Sequence, residues 1–214
     1  VSAFRSEAQL SARLAHPNIV QVLDFGRVGE SYFLAMEFVE GMTLASLMRR
    51  LWAANIDIPT RLVAFIAQEI LSGLHYSHAG ARDGDGNLLR VVHRDLSPVN
   101  VLVSCNGEVK ITDFGVARAL HDTETALSQS VVGHAGYMAP EQARAHEVDE
   151  RSDIFSLGAI VWELLAGEPL FRRDTQSATL MALVSVDVPP VSSRRTLETG
   201  WDDVVARALQ KEQH

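Results

Sequence analysis

The run IFSLGAIVWELLA, residues 154–166, is apolar on nearly every side of a helix, and no other stretch constrains the fold as much. A helix without a polar face has to be surrounded. Its thirteen residues fall well short of the roughly 20 that a membrane span requires, and Glu163 sits inside it, so lipid is not what surrounds it. The run reads instead as a buried helix, near residues 153–165, at the centre of a helical lobe. A chain of 214 residues with 47% hydrophobic content can wrap one such core, or one large lobe and part of another.

Charge narrows the partners. A formal net charge of -8 and a pI near 5.4 argue against nucleic acid, because its binders gather Lys and Arg on one face. The single Cys105 cannot close an intramolecular disulfide, and no Cys/His group has zinc spacing, so a reducing, cytoplasmic setting is expected. No basic-then-apolar leader opens the chain, and no membrane segment is expected within it. It begins with Val1 and reads as part of a longer chain.

Periodicity supplies the elements. FRSEAQLSARLA sets Phe4, Ala8, Leu10 and Leu14 near one helical face, with His16-Pro17 as the stop. IVQVLDF and SYFLAMEF are predicted strands of a hairpin, joined over residues 26–30. TRLVAFIAQEILSGLHYSHA is predicted as a helix behind Pro59, with Leu62, Phe65, Ile66, Ile70 and Leu74 at helical spacing. A second hairpin, VLVSCNGEVKIT, turns at Asn106-Gly107, and residues from 138 onward read as helices. The DGDGN stretch, residues 83–87, suggests a calcium loop, but the positions needing Gly and Glu hold Leu88 and Arg94. It is therefore read as a surface turn.

Two polar residues stand out in VVHRDLSPVNVLV, residues 91–103: Asp95, and Asn100 five positions later. DFG at 113–115 and APE at 139–141 follow in that order, ahead of SDIFSLG. Together these pieces resemble the second half of a protein-kinase domain, over residues 4 to 211, and GYMAPEQA is similar to eukaryotic-like Ser/Thr kinases of bacteria. The resemblance implies an α+β, two-lobed fold with an incomplete N-lobe and a mainly helical C-lobe. Residues 1–40 would be the rear of the N-lobe up to the hinge, and 41–214 the C-lobe with catalytic loop, DFG and activation segment.

Phosphoryl transfer needs a hydroxyl held in line with the γ-phosphate and metal ions that neutralise developing charge. The resemblance assigns the hydroxyl proton to Asp95, and offers Asn100 and Asp113 as hard oxygen ligands for Mg²⁺ beside ATP. Taken singly, Asp95 also reads as a turn carboxylate, Asp113 as a helix cap and Phe114 as core. Met36 aligns with the residue behind the adenine pocket, the backbone of Glu37 and Val39 with the adenine edge, and Leu102 with the floor under the ring. Ordinary core is the alternative for these side chains. Glu7 matches the helix glutamate that pairs with a nucleotide-anchoring lysine, or else a solvated helix face. Asp153 matches the carboxylate that holds the catalytic-loop backbone, or else a helix N-terminal charge. Between Gly115 and Gly133, Thr123, Thr125, Ser128 and Ser130 are candidate phosphosites, with Arg94 the expected cation.

Several positions depart from the family pattern. No Gly-rich loop and no strand lysine precede Glu7, and no arginine partner for Glu141 follows before His214. Ser11 stands where the family has a larger apolar residue. Ser97 replaces the catalytic-loop lysine, and His134 replaces the threonine that bonds to it, so these two are read as one linked change near Asp95. The expected function is transfer of the ATP γ-phosphate to Ser/Thr hydroxyls of a protein substrate, with tyrosine not expected. The alternative is a pseudokinase or truncated kinase acting as a protein-binding scaffold. Oligomeric state stays open.

Overall fold

A helical stretch at residues 8–11 leads into two small antiparallel sheets, and helices make up the rest of the regular structure of the described chain. The computed structural model describes residues 8–29, 31–114, 135–198 and 200–211. The architecture is the mainly helical α+β arrangement that the resemblance implies.

Strands β1 (Val22–Val28) and β2 (Ser31–Met36) form a ribbon, with an irregularity between Val22 and Asp24. Its turn lies at Gly29, tighter than the expected connector over residues 26–30: Gly26 is inside the strand, opposite Phe33. Strand β3 (Gly41–Thr43) leads directly into α1 (Leu44–Ala53), whose start is capped by the Thr43 hydroxyl accepting from the Ser46 amide. Strand β3 pairs with β4 (Val101–Ser104), and β4 with β5 (Val109–Ile111). The β4–β5 turn is the expected one: Gly107 has φ 85°, which favours glycine, and the Ser104 hydroxyl accepts from the Asn106 and Glu108 amides.

Helix α2 (Thr60–His75) starts after Pro59, which caps it from outside rather than occupying its first turn. Its buried stripe is Val63, Ile66, Ile70, Gly73 and Leu74. Leu62 and Phe65, expected on that face, are exposed: the stripe is rotated by one residue, and Val63 takes the inward place. Gly73 lets the HPN segment pass close by, since a Cβ there would lie 3.0 Å from the Asn18 carbonyl oxygen and 3.1 Å from Ile111. At the other end the helical residues stop at 11, before His16-Pro17, and Leu10 faces outward while Ala8 and Leu14 are buried.

Helix α2 runs on into one wide π turn, Tyr76–Gly80. The DGDGN stretch is the predicted surface turn, closed by the Asp83 carboxylate on the amides of Asp85 and Asn87. After a 3-10 turn, Ala135–Tyr137, come α3 (Pro140–Ala143), α4 (Glu150–Ala166), α5 (Gln176–Ser185) and α6 (Trp201–Ala208). Helix α4 is the buried centre and packs against α2 and α6. Asp149 caps its start, and Gly167, at φ 76°, ends it. Among the described residues, no helix is long and apolar enough to cross a membrane.

Candidate active site

Helix α4 is not apolar all round, and its polar exceptions build the site. Asp153 is fully buried, and its carboxylate accepts from the His93 amide at 2.8 Å, the Arg94 amide at 2.9 Å and His78 Nε2 at 2.7 Å. A buried carboxylate is tolerable only when so satisfied. Arg94 takes φ 68° to present its amide, and its carbonyl accepts from Gln142 Nε2 at 2.7 Å. His78 lies in the π turn, and its partnership with Asp153 is one that helical periodicity alone does not reveal.

His93 carries the pinning forward. Its Nδ1 accepts from the Asp95 amide at 3.2 Å, which assigns the ring proton to Nε2, and Nε2 donates to the Thr112 carbonyl at 2.9 Å. The Asn100 amide donates to the Ser97 carbonyl, closing the loop, while its side-chain Nδ2 donates to the Asp95 carbonyl at 2.8 Å and to Asp95 Oδ2 at 3.1 Å. The Thr112 amide then donates to the Asn100 carbonyl at 2.9 Å, which brings Asp113, at φ 63°, beside the loop. Phe114 is buried, with its ring edge-on to His93 at 4.6 Å between centroids, and its carbonyl accepts from Ser11 Oγ. Asp95, Asn100 and Asp113 are thus gathered by one continuous hydrogen-bonded frame.

Ser97 lies within this frame at 1% exposure, and its hydroxyl is the buried side-chain polar atom without a hydrogen-bond partner among the described residues. Such an orphan costs about 1–3 kcal/mol, so it marks a place where a ligand group or a rotation is favoured. His134 lies outside the described residues, as do Glu7, Gly115, Thr123, Thr125, Ser128 and Ser130.

On the other side of the cleft, Met36 ends β2 and lines a narrow gap with Ser11, Val20, Val22, Asp113 and Phe114. Thr112 Oγ1 approaches its sulfur at 3.8 Å. The Glu37 side chain is neither core nor free: it takes the Gln21 amide at 2.8 Å and Lys110 Nζ at 2.9 and 3.0 Å. Burial, the largest single influence, pushes the Glu37 carboxyl up, but the Gln21 amide and Lys110 more than offset it and hold it below the usual carboxylate range. Val39 and Leu102 are half-buried, and Leu102 pairs across strands with Lys110 and Thr43.

Three further partnerships support the site from α4 and α2. Glu141 accepts from the buried Ser152 hydroxyl. Ser156 Oγ donates to the Tyr137 carbonyl at 2.7 Å, and the Tyr137 hydroxyl donates to buried Glu163 at 2.7 Å, whose other oxygen takes the Leu170 amide. Burial pushes Glu163 up to about 7 and pushes Tyr137 up as well. Asn18 donates to Glu69 and to the Val109 carbonyl, tying the HPN segment to α2 and β5.

The donors suit a divalent ion shared with a nucleotide. Asn100 spends its Nδ2 on Asp95, leaving its amide oxygen as the donor it can offer beside the Asp113 carboxylate. Among the described residues, no three His, Cys, Asp or Glu side chains gather as a self-sufficient cage. Magnesium is commonly held this way, by one or two protein oxygens plus phosphates and water.

A family model described as protein kinase domain matches residues 2–211. Tyrosine-protein kinase MasK of Myxococcus xanthus is 37% identical over 210 residues, which is 98% of this chain and 32% of MasK. Serine/threonine-protein kinase PknB of Mycolicibacterium smegmatis is 39% identical over 215 residues, 97% of this chain and 32% of that protein. PknB of Mycobacterium tuberculosis is 37% identical with the same coverage. The chain spans about a third of the length of these curated relatives.

Proposed function

This chain belongs to the protein kinase domain family, and on that premise we propose that it transfers the γ-phosphate of ATP to serine and threonine hydroxyls of a protein substrate. The observation that carries the reading is the frame joining Asp95, Asn100 and Thr112–Asp113, hung from Asp153. Asp95 receives or orients the proton of the attacking hydroxyl, and the Asn100 bond to its Oδ2 holds the carboxylate in place for that task. Asn100 and Asp113 would hold Mg²⁺, whose charge offsets that building on the phosphoryl oxygens. Ser97 offers its hydroxyl to a phosphoryl oxygen or to Asp95. His134, paired with it in the sequence pattern, supplies the positive charge that a lysine at 97 would otherwise bring.

Met36, the backbone of Glu37 and Val39, and Leu102 line the adenine end in this reading, with the lobes divided at residues 40 and 41. Glu7 and Phe114–Gly115 belong to the switchable part. Arg94 receives phosphate placed on Thr123, Thr125, Ser128 or Ser130, while Glu141 and Asp153 brace the C-lobe. ATP supply puts the domain on the cytoplasmic side.

In the full-length protein with Mg²⁺ and ATP, Asp95→Asn should lower transfer about a hundred- to ten-thousandfold while ATP affinity changes little. Absence of transfer by the parent protein, or a variant retaining more than about a tenth of its rate, overturns the assignment. Serine and threonine as acceptors follow the PknB relatives. One observation favours a second reading, tyrosine as acceptor: the relative MasK carries the name of a tyrosine kinase. Phosphoamino-acid analysis of the product separates the two.

A further inference from the structure

Ser11 sits in the helical stretch at residues 8–11 with 6% exposure, and its hydroxyl donates to the Phe114 carbonyl at 2.6 Å across 103 residues of sequence. A hydroxyl at an otherwise apolar contact is costly unless bonded, and here it is bonded to the backbone of the residue after Asp113. Asp113 has φ 63°, a conformation its surroundings must enforce. From one side that enforcement comes from the catalytic loop. The Asn100 carbonyl takes the Thr112 amide, His93 Nε2 donates to the Thr112 carbonyl, and the His93 ring meets the Phe114 ring. Ser11 holds the same segment from the opposite side.

The difference between a hydroxyl and a hydrocarbon at this position is directional. Apolar packing is non-directional, so a leucine pressed on Phe114 would leave its peptide free to rotate beneath the contact. A hydrogen bond falls off steeply with angle and therefore fixes where the carbonyl points. We propose that Ser11 is a positioning residue for phosphoryl transfer: its bond to the Phe114 carbonyl fixes the backbone after Asp113, and so ties the direction of the Asp113 carboxylate to the helical stretch at residues 8–11. The inference rests on the kinase reading for its consequence in catalysis, while the bond itself is a property of the fold.

The test compares Ser11→Ala, Ser11→Thr and Ser11→Leu in the full-length protein, by steady-state rates against ATP and Mg²⁺ and by amide hydrogen exchange over residues 110–114. Ser11→Ala should lower kcat about five- to twentyfold, raise the Mg²⁺ needed for half-maximal rate and leave the KM for ATP within about twofold, because one directional bond is lost and the nucleotide contacts are not. Exchange over residues 110–114 should quicken at least about threefold. Ser11→Thr keeps the donor and should stay within about twofold of the parent in both measurements; Ser11→Leu fills space without donating and should behave like Ser11→Ala. Exchange in Ser11→Ala equal to the parent overturns the proposal. So does a leucine variant that restores rate and protection, since shape rather than donation would then be at work. If the parent transfers no phosphate, the kinase reading fails on its own, and the exchange comparison still decides whether the bond holds Asp113 in place.

Discussion

The two sides of the cleft are held by different means. On the helical side, the loop of residues 93–100 hangs from buried α4 through a chain of side chain to backbone bonds, Asp153 to His93 and Arg94, then His93 to Asp95 and Thr112. On the other side, the β1–β2 ribbon is held chiefly by its own pairing, and Leu23 and Val28 stand 66% and 72% exposed. Among the described residues, the polar ties near the ribbon's open end are the Glu37 amide on the Gln21 carbonyl, the Val20 amide on the Ile111 carbonyl, the Thr112 hydroxyl near the Met36 sulfur and the Lys110–Glu37 pair. Buried polar bonds in low dielectric resist distortion because an unmade partner is expensive, whereas exposed pairing exchanges readily with water. Rigid geometry is thus concentrated on the side that carries Asp95 and Asn100, and compliance on the side of the ribbon.

The largest effect should come from cutting the rigid side at its root. Asp153→Ala removes the acceptor of two backbone amides and of His78 at once, inside a fully buried site. A loss of about 3–5 kcal/mol in denaturant unfolding is expected, a large part of the net stability of a domain this size. Asp153→Asn keeps one acceptor oxygen and should fall between. A loss below about 1 kcal/mol for alanine would mean the loop is carried by its other contacts, and the contrast between the two sides would collapse.

A second way to sharpen the contrast is pH, since the rigid side contains a group tuned by burial and the ribbon does not depend on it. Glu163 is raised from its ordinary value to about 7. The folded state therefore holds its proton more tightly than the unfolded chain, and this contribution to stability is complete below the unfolded pKa, near 4.5, and lost as pH rises through about 7. The effect is on the order of 2–3 kcal/mol. In Glu163→Gln, whose amide keeps a hydrogen bond to Tyr137, unfolding measured from about pH 5 to about pH 8 should lose most of that slope. An unchanged slope would place the titration elsewhere.

Sequence pattern revealed the helical side better than the ribbon side, for a physical reason. Residues that must satisfy one another in a buried site leave fixed spacings, and HRDLSPVN, DFG and the apolar α4 run could be read directly. The pattern did not reveal which partners the polar residues on α4 would meet. Ser152, Ser156 and Glu163 look like interruptions of an apolar helix until the fold brings Glu141 and Tyr137 to them. His78 continues the Ile66, Ile70 and Leu74 spacing by one more step, but spacing alone does not name Asp153, 75 residues away, as its partner. The shift of the α2 stripe from Leu62 and Phe65 to Val63 shows the same weakness, because several apolar residues in succession leave the rotation of a helix undetermined. Lys110 was invisible because alternation in VKI predicts only that it faces away from the core, not that Glu37 waits there.

That pair gives the smallest effect and the finest test of the comparison. Lys110 and Glu37 keep 12% and 29% side-chain exposure, so water screens them in part, and the pair joins β5 to the residue just past the ribbon. Lys110→Met preserves the length and apolar stem of the side chain while deleting the charge. If the ribbon side is compliant, the global loss should stay within about 1 kcal/mol, since Glu37 still accepts the Gln21 amide and can turn toward solvent. The change should appear instead as local opening, with faster amide exchange in the ribbon and at Glu37 while the amides of His93 and Arg94 stay protected. Glu37 would also lose a partner that lowers its pKa, so its carboxyl should titrate higher in the variant, which carbon-detected NMR can follow. A cost approaching that of Asp153→Ala, or exchange that quickens equally on both sides of the cleft, would show that the pair is part of the rigid frame and that the two sides open as one unit.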